Sequence, residues 1–120
     1  MITEVFARQF AAAWVQAWNT RDLDAVLTHY TEDFEMSSPY IVQIAGEGSG
    51  TLKGKKAVAA YWAKALEKLP DLHFELITVL RGAHSVTLYY RGQKKRLVAE
   101  VLFFAGDGKV EKAFAHYADA

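Results

Sequence analysis

The 120-residue chain has no cysteine, which removes disulfides, thiolate nucleophiles and cysteine zinc sites from consideration. Charge of one sign is lacking too. Fourteen basic and fourteen acidic side chains cancel, which excludes a nucleic-acid or anionic-membrane partner recognised by net charge. No run of about 18 uncharged apolar residues occurs, and Met1-Ile2-Thr3-Glu4 lacks the basic, then apolar, pattern of a secretory leader. The expectation is a cytoplasmic, soluble protein with no membrane and no nucleic-acid partner. Histidine is sparse and scattered, at His29, His73, His84 and His116. Only His29 and Asp33 have helical spacing, and metal binding needs three or four convergent ligands, so no metal and no cofactor are expected.

Apolar residues are abundant instead, at 52%, and 13% of the chain is aromatic. The length suits one domain over residues 1–120 with one core. Phe6, Phe10, Trp14 and Trp18 recur at four-residue spacing beside Ala13 and Ala17, which predicts an amphipathic helix from about Thr3 to Asn19. Asp22 is a suitable N-cap for a short second helix carrying Leu23, Val26, Leu27 and Tyr30. Phe34 to Ser37 alternates as a strand and stops before Pro39. Tyr40 to Ile44 is β-prone, and Gly46-Glu47-Gly48-Ser49-Gly50 reads as a mobile loop, so that residues 45–53 are a candidate lid. Val58, Tyr61, Trp62, Ala65, Leu66 and Leu69 mark a third helix from about Lys55 to Lys68, ended by Pro70. Four strands follow, at Leu72–Leu80, Ser85–Tyr90, Lys95–Phe104 and Val110–Tyr117, separated by glycine turns. Three helices followed by an antiparallel meander predict an α+β domain in which a curved sheet wraps the helices.

The last hairpin carries the chemistry. With Ala105 to Gly108 as a four-residue loop, Phe104 pairs with Lys109, Glu100 with Ala113 and Val98 with Ala115. Val98, Glu100, Leu102 and Phe104 then share one face, and Leu97, Ala99, Val101 and Phe103 the other. Both faces are apolar, so both are expected to be covered: one by helices, the other by a second copy through Val101, Phe103, Phe114 and His116. Glu100 is the sole acid on the inner face, opposite alanines that leave space. A carboxyl group in such a hollow disfavours its charge and can act as a hydrogen-bond donor or a weak acid near neutral pH. The alternative is a structural Glu100, paired with Arg96, a tyrosine hydroxyl or a backbone group. The glycine loop matches neither the dinucleotide fingerprint nor the P-loop.

Several segments, read together, resemble the SnoaL-like branch of the nuclear-transport-factor-2-like superfamily. They are Ala17-Trp18-Asn19-Thr20-Arg21-Asp22-Leu23-Asp24-Ala25-Val26, Tyr30-Thr31-Glu32-Asp33-Phe34, Gly50 to Val58, Leu69 to Glu75, and Phe103 to Val110. The resemblance implies a cone of curved antiparallel sheet closed by three helices, of the cystatin-like type, commonly dimeric and with a deep apolar pocket. Because that fold hosts isomerases, polyketide cyclases, dehydratases and non-catalytic binding modules, the fold leaves the activity open. Set against the ketosteroid isomerase arrangement, the general-base aspartate falls at Ser38, the oxyanion-hole tyrosine at Trp14, the oxyanion-hole aspartic acid at Glu100, and the closing aromatic at Tyr117. With Ser38 in the base position, that particular isomerisation is not expected. The candidate site is Glu100 as the acid, with Trp14, Trp18, Met36, Ser38, Tyr40, Tyr61, Trp62, Val98, Leu102 and Tyr117 around a small hydrophobic or aromatic ligand. Two readings follow: isomerase- or cyclase-like acid–base chemistry, or a non-catalytic ligand-binding or dimerisation module.

Overall fold

The computed structural model describes residues 1–119. Helix α1 spans Glu4–Asn19, capped by Thr3, whose hydroxyl accepts from Phe6 N at 3.0 Å. Its buried stripe is Phe10, Trp14 and Trp18 with Ala7, Ala11 and Ala17; Ala13, expected beside them, is exposed. Asp22 caps α2 (Leu23–Leu27) by accepting from Ala25 N at 3.1 Å. Tyr30, expected on this helix, instead opens strand β1 (Tyr30–Ser37).

The segment read as β-prone is helical: α3 runs Pro39–Ile44. The reason lies in the Ser38-Pro39 pair. Ser38 is extended and its hydroxyl accepts from Tyr40 N at 3.2 Å, while Pro39, fixed near helical φ, takes the first-turn position where no N–H is needed. The glycine-rich stretch that follows is a hydrogen-bonded turn, with Gly50 N donating to Glu47 O at 3.0 Å and Ser38 N to Gly50 O at 2.9 Å. It leads into β2 (Thr51–Lys53), an added strand on the edge of β1.

Helix α4 (Lys55–Lys68) buries Val58, Tyr61, Trp62 and Leu66. The Arg21 guanidinium donates to the carbonyls of Leu66, Leu69 and Pro70, satisfying acceptors that the helix end leaves free. Strands β3 (Glu75–Arg81), β4 (Ser85–Arg91), β5 (Leu97–Phe104) and β6 (Val110–Tyr117) complete the sheet, with a short 3-10 turn at Gln93–Lys95. Six strands lie in the order β2-β1-β6-β5-β4-β3. All neighbours are antiparallel except β1 and β6, which run parallel. The expected four-strand meander is therefore extended on one side, by a pair whose connection passes through α4 and the whole meander, as a parallel pairing requires.

The β5–β6 register differs from the expected one. Phe104 pairs with Val110, Glu100 with Ala115 and Val98 with Tyr117, with a shift between Phe103 and Phe104. A regular hairpin would turn Lys109 and Glu111 inward beside Ala113. The bulge inserts one extra residue, so Val110 and Ala113 both enter the core, each fully buried, while Lys109 and Glu111 stay outside. A shift of two keeps Glu100 on the inner face, where Val98 and Leu102 are also buried.

Candidate functional site

The C-terminal half of α1, α3, α4 and the inner face of β4–β6 enclose a cavity of about 70 Å³. Glu100 forms part of its wall and is only 4% exposed. Its neighbours across the sheet are Leu88 and Ala115. The Tyr90 hydroxyl donates to Glu100 Oε1 at 2.9 Å. Burial outweighs that hydrogen bond and lifts the carboxyl from 4.5 to about 7. Burial likewise holds the surrounding phenols neutral. Tyr61 is pushed up to about 12, and Tyr30, Tyr90 and Tyr117 are raised well above the usual phenol range, the nearby Glu100 charge adding to the effect in each.

Aromatic rings make most of the wall. Trp14 stacks on Phe74 at 5.4 Å and meets Tyr90 edge-on at 5.4 Å. Its indole N–H donates to the Tyr30 hydroxyl at 2.9 Å and so does not point a free donor at the cavity. Trp18 packs against Trp62 at 5.1 Å and Phe74 at 5.6 Å, but its indole N–H is buried with no partner. Gln93 Oε1 is buried and unpartnered in the same way. Both residues line the cavity. Unpaired buried donors and acceptors are costly and uncommon in native folds, so these two atoms set this cavity apart from the fully satisfied core around it.

Of the residues proposed from sequence, Glu100, Trp14, Trp18, Met36, Tyr40, Tyr61, Trp62, Val98 and Tyr117 border the cavity. Ser38 and Leu102 do not. Ser38 is buried behind the wall, where it caps α3 and lies 3.5 Å from the Tyr117 hydroxyl. Leu102 is fully buried one inward position further along β5, paired with Val86 and Ala113 in solid core. The proposed lid at 45–53 contributes no wall residue; α3 supplies Tyr40 and Ile44 instead.

Sequence reasoning missed Phe74, Tyr90, Gln93 and Arg96 on this wall. Tyr90 was legible, because it continues the inward alternation Val86-Leu88-Tyr90. Phe74 is placed by Asn19, whose side chain accepts from Phe74 N at 2.7 Å and donates to Phe74 O at 2.9 Å, a link across 55 positions that no local pattern carries. Gly92 packs beneath them: an added Cβ would lie 3.3 Å from Val98 and 3.6 Å from Tyr90. Arg96 sits at the mouth, donating to the Tyr40 hydroxyl at 3.2 Å and to Ala118 O, its guanidinium 5.4 Å from the Tyr117 ring centre. Among the described residues no cluster of three metal-ligating side chains occurs, and no helix is long and apolar enough to cross a membrane.

A six-stranded sheet packed on helices in this order is the fold of the nuclear-transport-factor-2-like, cystatin-like class. One structure of that class, an NTF2-like protein of unknown function from Cytophaga hutchinsonii, superposes with a TM-score of 0.71 at 16% identity, covering 98% of this chain and 95% of the other. Within the class, residues 11–117 match the SnoaL-like domain, and the chain belongs to that family. A SnoaL-like protein of unknown function from Burkholderia thailandensis E264 is 58% identical, with a TM-score of 0.94 and 98% of each chain covered. A candidate isomerase of the SnoaL-like family from Agrobacterium tumefaciens C58 is 16% identical, with a TM-score of 0.75, 96% of this chain and 99% of the other covered. No protein of curated function matches the chain.

Proposed function

We propose that the chain binds a small ring-containing, largely apolar molecule in the cavity and that Glu100 exchanges a proton with it, in an isomerase- or cyclase-like reaction. The observation that carries this reading is a carboxyl group with a pKa of about 7, held by Tyr90 in an aromatic hollow. Near neutrality it is present in both forms, so it can take a proton from one atom and return it to another. Isomerisation by proton shift needs only one such group when both atoms lie within its reach. No second base stands ready, because Ser38 is committed to capping α3 and the phenols keep their protons. The small volume means that a ring-sized guest must shift a wall residue.

The test is proton abstraction from a small generic carbon acid, 5-nitrobenzisoxazole. The parent should accelerate its ring opening with a single ionisation near pH 7. Glu100→Gln, which keeps the shape and can still accept from Tyr90, should abolish that acceleration while an apolar fluorophore binds as before. Equal rates in parent and variant would remove Glu100 from the chemistry. Fluorophore binding without any acceleration in the parent would favour the second reading, a non-catalytic binding module, which the structural role of Ser38 supports.

We also propose that the outer sheet face pairs with a second copy. Phe103, 39% exposed, and Phe114 meet edge-on at 5.9 Å on that face, with Val101 half-buried between strands and His116 exposed alongside. A monomer in sedimentation at low micromolar concentration would refute it.

A further inference from the structure

We infer that the cavity's guest is an anion: a single-ring carboxylate whose ring enters the hollow and whose charge stays at the mouth against Arg96. This rests on the reading that the cavity takes a ligand, and goes beyond it in naming the ligand's charge and orientation. The cavity adjoins a surface groove: Tyr40, Leu69, Gln93 and Arg96 border both. That groove carries four cations, Arg91, Lys94, Lys95 and Arg96, and one acid, Asp119. Arg91 has a distant ion pair with Glu75 at 3.9 Å; Lys94, Lys95 and Arg96 have none among the described residues.

Arg96 is held rather than loose. Tyr40 accepts from Nη1, Ala118 O accepts from Nε, and the Tyr117 ring lies against the guanidinium. Nη2 donates to nothing among the described residues, which leaves its N–H groups, with the second N–H of Nη1, to meet a carboxylate. A pre-oriented, half-buried guanidinium beside an aromatic hollow is the arrangement that recognises an aryl or cyclic acid, with ring burial and charge pairing adding. Lys94 and Lys95 reinforce it. Both adopt left-handed backbone, at φ of 56° and 60°, unusual for lysine, in the turn that borders the groove. The glycines that would relieve it are absent, and each lysine presents its charge at the groove instead. Further inside, the unpartnered Trp18 N–H offers a donor for an acceptor on the ring.

Benzoate and benzamide test the inference, because they share shape and differ in charge. Binding is read from the Trp14 and Trp18 indole N–H resonances, which locate the ring in the hollow. Benzoate should bind the parent about tenfold more tightly than benzamide, the scale of one charge-assisted hydrogen-bonded pair. Arg96→Gln should bring the two within about twofold by weakening benzoate more than benzamide, and Arg96→Lys, which keeps the charge without the fork, should restore part of the preference. Thermal melts show that each variant folds. Equal binding of the two probes to the parent, or a preference that survives Arg96→Gln, would overturn the inference and leave the cavity reading standing. Unmoved indole resonances with both probes would overturn the two together.

Discussion

The two halves of α1 carry the same stripe and do different things with it. In the first half, Phe6 and Phe10 meet Phe104 edge-on at 5.2 and 5.0 Å, and Phe10 meets His29 at 5.2 Å. These rings close one end of the sheet as solid core, and partial burial there pushes the His29 imidazole down. In the second half, Trp14 and Trp18 continue the spacing but border a hollow, with one indole N–H paired and the other not. A ring without polar atoms can be packed on all sides at no hydrogen-bonding cost, whereas an indole needs a partner. The difference teaches where the molecule is optimised for stability and where it tolerates a defect, and the defect lies at the candidate site.

The largest expected effect breaks the solid end. Phe10→Ala should destabilise the fold by about 3–5 kcal/mol, because a buried ring is lost where neighbouring rings cannot collapse inward; a denaturant midpoint shifted by much less would mean that this end is not close-packed.

Next in size is the pH dependence of the open end. Glu100 has a folded pKa raised to about 7 from 4.5, so its charged form is disfavoured in the folded chain. No penalty exists below about pH 4.5; stability then falls as pH rises, by about 3 kcal/mol in all, and levels off above about pH 7. Glu100→Gln should remove that slope. It should match the parent near pH 4 and exceed it by about that amount at pH 8. Unfolding midpoints measured across the range check this, and a parent whose stability does not fall between pH 5 and 7 would show the carboxyl to be solvated.

The smallest effect sharpens the contrast along α1. Trp18→Phe removes a buried donor that has no partner as well as some ring area, two contributions of opposite sign and each about 1–2 kcal/mol. Stability should change by less than about 1 kcal/mol. The same replacement at Trp14 would orphan the Tyr30 hydroxyl and should cost more. Equal costs at the two positions would remove the distinction between a satisfied and an unsatisfied indole.

Much of this architecture was legible in the chain. The spacing of Phe6, Phe10, Trp14 and Trp18 produced α1, Asp22 announced α2, and the glycine turns divided the strands, because each signal acts within one or two turns of backbone. Glu100 could be read as inward because side chains alternate along a strand, and a shift by two residues preserves the face. The helix at Pro39–Ile44 was hidden by residues that favour strands, although the Ser38-Pro39 pair contained its start signal.

What composition and periodicity determined, then, was the class of fold, the aromatic character of its interior and the single acid on the inner face. The bulge after Phe104, the parallel pairing of β1 with β6, the seating of Phe74 by Asn19 and the union of Gln93, Arg96, Tyr40 and Tyr117 at one mouth were decided only by the tertiary structure. The seating of Phe74 spans 55 positions, and the contacts of Arg96 with Ala118 and Tyr40 span 22 and 56. Which distant groups meet depends on how the sheet curves and where the helices can pack against it, and no local preference of the backbone encodes that.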